Sequence, residues 1–398
     1  MTKTLNGRAA RESADVVILG AGPAGLVLGI LLQATGVDCV ILERSSRARV
    51  ESRARAGFLV PNTVRILERH GLAEGLKSRG QLHGSCEFRT EELRFRLDYK
   101  NLGNGGQHTV YPQQNLVTDL VAHFLGAGGR IRWETEALGV LDAEGERPYV
   151  TTREEDGRPG RWDGRFVAGC DGRWGAARRS LPAGAVRHHH DHGVSWLGLL
   201  AEAPPSLDAV GYALHGRGFA GHMARGPQIT RYYLQCPRGM RPDAWSEERI
   251  WAELALRMGA ERHGPLTEGP ILERGTVDLE CDVVEPLRHG SLLLAGDAAS
   301  LTAPAAAKGA NLAVLEAELL AGALTEVLTR GDSGALDRYS AQCLAHIWRA
   351  QEFTAWMTRL LHATPDGPFH GSLRRARLES LRTSRSHQDW FAENYVGV

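Results

Sequence analysis

Short apolar runs and helix-like apolar spacing alternate along the first part of the chain. Val16–Leu19 contains only apolar residues, and it is followed by a glycine-rich turn and by helical spacing of apolar residues over Ala24–Thr35. A second apolar run, Cys39–Glu43, ends in an acidic residue. A strand, a tight turn, a helix and a second strand in this order predict the opening of a doubly wound, Rossmann-like α/β domain.

The same patterns predict further buried strands, an inserted sheet and long helices. Buried strands are predicted at Phe166–Gly169 and Leu292–Leu294. Strand-like runs at Trp196–Leu200 and Arg231–Gln235 lie between turns rich in Gly and Pro, which predicts an inserted mixed or antiparallel sheet. Helices are predicted over Asn62–His70, Leu116–Leu125, Ala310–Leu328 and Leu336–Leu361.

Composition and charge limit the possible partners. The chain has 398 residues, and 47 Lys and Arg residues balance 47 Asp and Glu residues, so no overall charge favours nucleic acid or an anionic membrane. The apolar runs are too short to span a bilayer. Met1–Asp15 is expected to be a loose arm and lacks the apolar stretch of a secretory signal. Six scattered cysteines without a CxxC pair favour reduced thiols and a cytoplasmic protein.

The glycine-rich turn carries the first chemical signal. Gly20, Gly22 and Gly25 form a GxGxxG pattern between the predicted strand and helix. In such a turn the glycines allow the tight bend, the approach of a pyrophosphate and close packing of helix on strand. Glu43, at the end of the next strand, can accept hydrogen bonds from ribose hydroxyls. This combination predicts a dinucleotide site and does not choose between FAD and NAD.

Two later segments resemble motifs of the flavin-dependent aromatic hydroxylases. Cys170-Asp171-Gly172 and Gly296-Asp297-Ala298-Ala299 each follow a predicted strand. In that family the later Asp contacts the flavin ribitol, and the mid-chain Asp-Gly shapes both nucleotide sites. The resemblance narrows to the 4-hydroxybenzoate 3-monooxygenase family and runs from about Asp15 to the C-terminus. It rests on Arg53-Ala54-Arg55-Ala56-Gly57, Val110–Gln113, Trp196–Leu200, Arg217–Phe219, Arg231–Tyr233, Ala307–Leu312 and Glu393–Gly397.

The resemblance implies a single-component monooxygenase with non-covalent FAD and with NADH or NADPH as co-substrate. Such an enzyme uses O2, through a flavin C4a-hydroperoxide, to hydroxylate a para-hydroxy aromatic acid ortho to its hydroxyl. 4-Hydroxybenzoate or a relative such as 3-amino-4-hydroxybenzoate is the predicted substrate, and a homodimer is implied. The expected domains are an FAD-binding domain (15–185), a substrate-binding sheet (186–284), and a return to the FAD domain with C-terminal helices (285–398).

The resemblance also assigns residues. Arg225 and Tyr233 would anchor the substrate carboxylate, while Tyr212 would pass the phenolic proton to Tyr395, with His83 as its outlet to solvent. Pro304 would lie in the active-site loop, with Met223, Ala305 and Arg55 near the substrate. Besides the three glycines, the expected FAD-binding residues are Glu43, Arg44, Arg53, Arg55, Gln113, Asp171, Asp297, Ala310 and Asn311.

Several positions depart from the family pattern. Met223 replaces a Ser that binds the carboxylate, and Gly221 replaces a larger residue, which is expected to open space. Trp174 and Glu280 stand where family members carry basic residues thought to meet NADPH, although Arg44 and Arg178 remain, so NADH and NADPH stay open. Around Pro304 the family's Pro, Thr and Gly are replaced by Ala303, Ala305 and Ala306.

Two polar runs are expected to have no functional role. His188–His192 is expected to be an exposed interdomain loop and not a metal site, because adjacent His side chains converge poorly on one ion. The basic run at Arg374, Arg375 and Arg377 is expected to be a solvated helix face.

The alternatives to a hydroxylase are a halogenase or hydride-transfer dehydrogenase, and a non-catalytic flavin sensor. The sequence lacks the Trp-x-Trp-x-Ile-Pro segment of halogenases, although Lys308 resembles their lysine.

Overall fold

The structure is a computed structural model, and it describes residues 10–53, 57–145, 147–362 and 367–397. The strands are β1 Ala10–Ser13, β2 Val16–Leu19, β3 Cys39–Leu42, β4 Phe58–Leu59, β5 Gln81–His83, β6 Cys86–Arg89, β7 Arg94–Leu97, β8 His108–Val110, β9 Arg130–Arg132, β10 Glu136–Leu141, β11 Tyr149–Arg153, β12 Pro159–Asp163, β13 Phe166–Gly169, β14 Val186–Ala201, β15 Val210–His215, β16 Gly218–Gly226, β17 Ile229–Cys236, β18 Ile271–Glu285, β19 Arg288–His289, β20 Leu292–Leu294 and β21 Ser300–Leu301.

The α-helices are α1 Pro23–Ala34, α2 Arg47–Ser52, α3 Pro61–Arg69, α4 Glu74–Arg79, α5 Gln113–Gly126, α6 Ala176–Arg179, α7 Glu247–Arg257, α8 Ala260–His263, α9 Gly309–Arg330, α10 Gly334–Leu361, α11 Gly367–Thr383 and α12 Arg385–Val396. The short 3₁₀ turns are Tyr99–Asn101, Gly296–Ala298 and Pro304–Ala306. The five helices predicted from apolar spacing are confirmed as α1, α3, α5, α9 and α10.

A six-stranded sheet with the order β19-β20-β13-β2-β3-β9 forms the first core. Its strands pair in parallel except for β19 with β20. Parallel strands covered on both faces are uniformly apolar, which is why β2, β13 and β20 could be predicted to the residue. Every residue of β2 is fully buried. The predicted doubly wound α/β fold is confirmed.

An eight-stranded sheet with the order β21-β18-β14-β17-β16-β15-β6-β7 forms the second core. It is antiparallel apart from the parallel pair β15 and β6. Side chains alternate along its strands, so its two faces differ. One face packs Leu197 and Leu234 with residues of α7. The other packs Trp196, Tyr212 and Tyr233 with the C-terminal helices.

The chain enters this sheet at three points. β6 and β7 come from the first predicted segment (15–185), β14 to β17 from the second (186–284), and β21 from the third (285–398), while β18 extends to Glu285. The three-part division therefore stays a prediction, and the sheets themselves are interleaved along the sequence. Two smaller sheets, with the orders β1-β12-β11-β10 and β4-β8-β5, complete the strand pairing of the described residues.

The expectation of a loose N-terminal arm is wrong where the arm is described. Residues 1–9 lie outside the described residues, but Ala10–Ser13 forms β1, which pairs in parallel with β12. Arg11 also makes an ion pair of 2.6 Å with Asp163. This short polar strand is formed by pairing with a distant segment, which local sequence does not reveal.

The histidine run is a strand and not the predicted loop. His188–His192 lies within β14 and pairs with β18, where His190 is opposite Cys281. Its predicted exposure is confirmed at His188. Among the described residues no group of three His, Cys, Asp or Glu side chains is placed to hold a metal ion. No helix in the described part of the chain is long and apolar enough to cross a membrane.

Candidate active site

A cavity of about 550 Å³ lies where the two large sheets meet. It opens at the carboxyl ends of β2, β3 and β13, which is where doubly wound sheets bind their ligands. The eight-stranded sheet contributes Arg231, Tyr233 and Val277 to its wall. The predicted residues that line it are Gly20, Gly22, Glu43, Arg44, Arg53, Gln113, Asp171, Tyr233, Asp297, Pro304 and Ala310.

The glycine-rich turn is compact on one side and open on the other. Gly20 has a φ of +95°, and a Cβ there would lie 2.7 Å from the carbonyl oxygen of Cys170. A Cβ at Gly25 would lie 2.0 Å from the Gly20 oxygen, so α1 packs directly on the turn. A Cβ at Gly22 would meet nothing within 4 Å. The start of α1 therefore faces the cavity, and the N-terminus of a helix suits an anion.

Two carboxylates stabilise the turns around this cavity. Glu43 accepts hydrogen bonds from the backbone N–H groups of Ala21 (2.9 Å) and Ser45 (2.8 Å), which ties β3 to the glycine turn. Asp171 accepts one from Ala177 at 3.1 Å, and its other carboxylate oxygen is buried without a hydrogen-bond partner in the described structure. Burial raises the pKa of Asp171 to about 6. An unsatisfied buried carboxylate oxygen beside a cavity fits a ligand hydroxyl.

Tyr233 lies in a groove between two glycines. In the sheet register it is opposite Gly198 on β14 and Gly221 on β16. Its neighbour Arg231 also lines the cavity, and the Nε of Arg231 is buried without a hydrogen-bond partner among the described residues. Burial lowers the pKa of Arg225, with Tyr233 opposing and Arg231 adding to this shift. Two guanidinium groups and a tyrosine therefore lie close together on one sheet face.

The hydroxyl groups of Tyr212 and Tyr395 meet at 2.6 Å in the protein interior. Tyr212 belongs to β15 of the eight-stranded sheet, and Tyr395 belongs to the last turn of α12. Burial raises the pKa of Tyr212 and that of Tyr395 above the ordinary value, so both are neutral phenols. Neutral phenols in contact can donate and accept, so the pair can pass a proton.

His83 lies in a different place. It lines a second, more polar cavity of about 390 Å³, together with Arg96, Lys100, Asp208 and Ala224. Burial lowers the pKa of His83 from its ordinary value. Its Nδ1 is buried and has no hydrogen-bond partner in the described part of the chain. The side chain of His83 therefore faces a second opening of the protein.

Comparisons with known proteins identify this arrangement. A family model described as the FAD binding domain matches residues 13–354. The p-hydroxybenzoate hydroxylase of Acinetobacter baylyi is 38% identical over 385 residues, which cover 96% of this chain and 95% of that relative. The chain belongs to the p-hydroxybenzoate hydroxylase family. It is an FAD-dependent aromatic monooxygenase.

More distant relatives agree with this family. Para-nitrophenol 4-monooxygenase of a Pseudomonas species is 28% identical over 345 residues, covering 82% of the chain and 81% of the relative. The solved p-nitrophenol 4-monooxygenase of Pseudomonas putida superposes with a TM-score of 0.80 at 20% identity, covering 98% of this chain and 99% of that one. This structural likeness supports the fold.

The hydroxylase has a site that fits non-covalent FAD. The open face at Gly22 and the start of α1 suit the pyrophosphate, and Arg44 and Arg53 line the same cavity. The buried carboxylate oxygen of Asp171 suits a hydroxyl of the cofactor. Each of these features is formed by the protein alone, and together they would hold the dinucleotide end of FAD beside the six-stranded sheet.

Other predicted residues of the hydroxylase lie outside the lining of the main cavity within the described residues. They are Gly25, His83, Tyr212, Met223, Arg225, Ala305, Asn311 and Tyr395. Asn311 instead bonds to backbone, accepting from Val60 (3.0 Å) and donating to Phe58 (2.9 Å) and Ala307 (2.7 Å). Arg55 lies outside the described residues. The functional roles of all these residues stay predictions.

The expectation that Gly221 opens space is wrong. A Cβ at Gly221 would lie 2.9 Å from the ring of Phe219, so that ring already occupies the space. Phe219 in turn stacks on Trp196 with 5.2 Å between ring centroids. The missing side chain is therefore compensated by repacking within the same strand, which a position-by-position comparison does not show.

Sequence reasoning gave no role in the site to Arg231 and considered Lys308 only as a halogenase-like lysine. Lys308 is buried and lines the main cavity. Its Nζ donates to the backbone oxygens of Asn394 (2.6 Å), Tyr395 (3.0 Å) and Gly397. Lys308 therefore fixes the end of α12 and with it Tyr395. The sequence signal for this role of Lys308 was a single basic residue beside the apolar start of α9.

The two departures at the predicted nicotinamide site are Trp174 and Glu280. Trp174 lines the cavity and is 74% exposed. Glu280 pairs with Arg173, and with Arg238 at 2.8 Å. Arg173 also pairs with Asp282, and Arg238 also pairs with Asp191, so both arginines are held by acidic side chains. This leaves less positive charge for an extra phosphate.

Proposed function

We propose that the hydroxylase converts a para-hydroxy aromatic acid into its ortho-hydroxylated product, using a nicotinamide coenzyme and O2. The observation that best supports this proposal is the buried contact of 2.6 Å between the hydroxyls of Tyr212 and Tyr395. A pair of phenols in the interior is costly unless each is satisfied, and it gives a substrate phenol a route for its proton. The name of the relative from Acinetobacter baylyi supports 4-hydroxybenzoate or a ring-substituted form of it as the substrate.

The carboxylate end of the substrate is held on the eight-stranded sheet. Arg225 and Tyr233 bind it, and the second guanidinium of Arg231 adds to the local positive charge. An acid that enters a closed site needs such partners, because a buried unpaired carboxylate is unstable by several kcal/mol. Met223, opposite Arg231 in the register, supplies bulk where a hydroxyl donor is usual.

The phenolic end of the substrate is oriented by Tyr212. Its hydroxyl accepts the substrate proton as it passes its own to Tyr395, so the ring becomes a phenolate. The negative charge raises electron density at the carbon ortho to the oxygen. Bound FAD supplies the redox chemistry that activates O2 for attack at that carbon. Lys308 keeps Tyr395 in place through the carbonyl groups at the end of α12.

The coenzyme and the assembly are parts of the same proposal. Arg44 lines the cavity and Trp174 lies at its mouth, so a nicotinamide coenzyme approaches there. Because Arg173 and Arg238 are already held in ion pairs with acidic side chains, NADH is expected to serve at least as well as NADPH. A homodimer is proposed from the family alone, and size-exclusion chromatography with light scattering tests it.

A substrate screen tests the proposed function. The purified, FAD-loaded protein is mixed with NADH or NADPH, O2 and one aromatic acid at a time. We expect 4-hydroxybenzoate or an amino-substituted form to stimulate coenzyme oxidation and to gain one oxygen atom by mass. Benzoate, which lacks the phenol, is the control and is expected to give no hydroxylated product. Hydroxylation of neutral phenols in preference to all acids would contradict the proposal.

A further inference from the structure

The orientation of the Tyr233 ring depends on one aromatic neighbour. The residues opposite Tyr233 in the sheet, Gly198 and Gly221, have no side chains that could hold the ring. A Cβ at Gly221 would lie 3.4 Å from the ring and one at Gly198 would lie 3.6 Å from it, so the ring covers both glycines. Among the described residues, its ring contact is with Trp196, at 4.8 Å between centroids. The position of the Tyr233 hydroxyl therefore follows that of the Trp196 indole.

A hydrogen bond to His362 fixes this indole. Trp196 is buried in β14, and its Nε1 donates to Nε2 of His362 at 2.5 Å. Nδ1 of His362 is 2.7 Å from the backbone oxygen of Thr358. An indole N–H can only donate and a carbonyl oxygen can only accept, so Nδ1 carries the hydrogen and Nε2 is the acceptor. Both nitrogens of His362 are thus used, in one tautomer.

His362 is itself held in a fixed place. It is the C-cap residue of α10 and only 2% of it is exposed. Burial lowers the pKa of His362 to about 4, so at neutral pH the ring is uncharged and Nε2 can accept. Phe219 packs against both partners of this hydrogen bond, with 5.2 Å between its centroid and that of Trp196 or of His362. The three rings form one support behind Tyr233.

Loss of the acceptor would disturb this support in a defined way. A buried indole N–H without a partner is unfavourable, so the indole would turn toward another acceptor or toward water. Tyr233 would then move with the ring on which it rests. Tyr212, which orients the phenolic end of the substrate, is bonded to Tyr395 instead and would keep its place.

We propose that His362 is a positioning residue for the carboxylate anchor, because it fixes Trp196 and thereby aims the hydroxyl of Tyr233 at the acid. The inference rests on the proposed function, since it needs a substrate carboxylate that Tyr233 binds. Within the described part of the chain, neither His362 nor Trp196 lines the main cavity, so His362 acts through other side chains and does not touch the substrate.

Two substitutions of His362 separate its acceptor from its bulk. The side chain in His362→Asn can still donate to Thr358 but is too short to reach Trp196. The side chain in His362→Gln is long enough to bring an amide oxygen close to the place of Nε2. Calorimetric titration of the FAD-loaded protein gives the dissociation constant for 4-hydroxybenzoate and for its neutral amide, 4-hydroxybenzamide.

We expect a loss of affinity that is confined to the acid. His362→Asn should raise the dissociation constant for 4-hydroxybenzoate by roughly 5- to 20-fold, while kcat for its hydroxylation stays within about 2-fold of the wild type. The dissociation constant for the amide should change little. His362→Gln should restore the affinity for the acid, because it supplies the acceptor again.

The Tyr233→Phe background shows whether the effect passes through the anchor. This variant lacks the hydroxyl, so its affinity for the acid should fall, and His362→Asn should then lower it no further. A histidine that only filled space would lower it by the same factor in both backgrounds. His222→Asn is the matched control, because His222 is buried on the other face of the same sheet, where its Nε2 accepts from the backbone of Ser206. It should bind the acid as the wild type does.

Three results would overturn the inference: wild-type affinity for the acid in folded His362→Asn, equal losses for acid and amide, or a His362→Gln variant that binds the acid as weakly as His362→Asn. If His362→Asn does not fold, Trp196→Phe tests the same hydrogen bond from its donor side, with the same expectations. If Tyr233→Phe itself binds the acid normally, the carboxylate anchor of the proposed function is wrong instead, so the two failures are distinguishable.

Discussion

At the residue scale, the chemistry depends on hydroxyl groups whose partners come from distant parts of the chain. Tyr212→Phe removes one hydroxyl from the contact of 2.6 Å with Tyr395. The carboxylate anchor is untouched, so substrate should bind and coenzyme oxidation should continue. Without its proton route the substrate should be hydroxylated roughly 10- to 100-fold less efficiently, and hydrogen peroxide should appear in its place. The ratio of product to peroxide per coenzyme oxidised measures this.

Tyr232→Phe is the control for that experiment. Tyr232 is a buried tyrosine next to Tyr233 on the opposite face of the sheet, and its hydroxyl contacts Ser206 at 3.0 Å. Its loss should leave product formation coupled to coenzyme oxidation. Normal coupling in Tyr212→Phe would show that Tyr212 only fills space.

Arg225 gives a second prediction at this scale. Arg225→Ala should raise the KM for the aromatic acid by roughly 10² or more, as expected for about 2–5 kcal/mol of charged hydrogen bonding lost in a closed site. A neutral analogue without the carboxylate should be affected far less. Arg225→Lys keeps a charge but loses the planar guanidinium, so its KM for the acid should lie between those of the wild type and Arg225→Ala. Steady-state kinetics with both substrates measures this, and equal losses for both would contradict the carboxylate anchor.

Sequence patterns located residues whose role is local. Gly20 and Glu43 were predicted from the pattern of strand and turn, and Asp297 from the family resemblance, and all three line the main cavity. Asn311 and Lys308 behave differently. Their hydrogen bonds go to backbone of β4 and of the C-terminal helix, which the fold brings to the start of α9 from far along the chain. Such partners cannot be predicted from neighbouring residues.

At the element scale, α9 contains a buried acid that makes stability depend on pH. Burial raises the pKa of Glu316 to about 8 from the ordinary value of 4.5. The folded state therefore holds this proton more tightly than the unfolded chain. The resulting stabilisation is complete below about pH 4.5 and is lost as the pH rises through about 8.

Glu316→Gln tests this dependence. The amide cannot ionise, yet its oxygen can still accept from the backbone N–H of Gly296, as the carboxylate does at 2.5 Å. We expect the variant to gain about 1–3 kcal/mol over the wild type at pH 9 and little at pH 5. Unfolding by urea at several pH values measures the difference. Glu326→Gln on the same helix changes a partly exposed partner of Arg338 and should keep the wild-type dependence of unfolding free energy on pH.

Elements that are more completely buried could be predicted more accurately from the sequence. β2, β13 and β20 were predicted with correct bounds because a strand covered on both faces has no polar positions. β1 and the histidine-rich half of β14 were missed, since their side chains are polar and only backbone pairing with a distant strand makes them β. These two segments lack the apolar pattern that indicates a buried strand, and the strand that each pairs with is distant in the sequence.

At the scale of the whole molecule, FAD is expected to join the two large sheets. The main cavity is lined by the turn after β2 on one side and by Tyr233 and Arg231 on the other. FAD added to the apoprotein should therefore raise the unfolding temperature, and free FAD at 100 times its Kd should add about 2.7 kcal/mol. Differential scanning fluorimetry measures the shift, and absorbance should give one FAD per chain.

Asp297→Ala should reduce this stabilisation, because a hydroxyl of the cofactor loses its acceptor in the cavity. Asp337→Ala is the control, since Asp337 is an exposed partner of Arg288 away from the cavity. A folded protein that takes up no FAD, or an Asp297 variant that binds FAD as tightly as the wild type, would contradict the role assigned to the cavity.

The interleaved path of the chain has a consequence for how the protein is made. β6 lies parallel to β15, so Cys86 has to find Val210 before the eight-stranded sheet can form. Pairing across so long a loop costs entropy before it brings any stabilisation, which makes folding slow. A nascent chain that stops after β13 leaves the edge of β6 without its partner β15, and exposed edges associate with one another. The two fragments obtained by dividing the chain at residue 185 should therefore aggregate when each is produced alone. They should be soluble only when both are produced together.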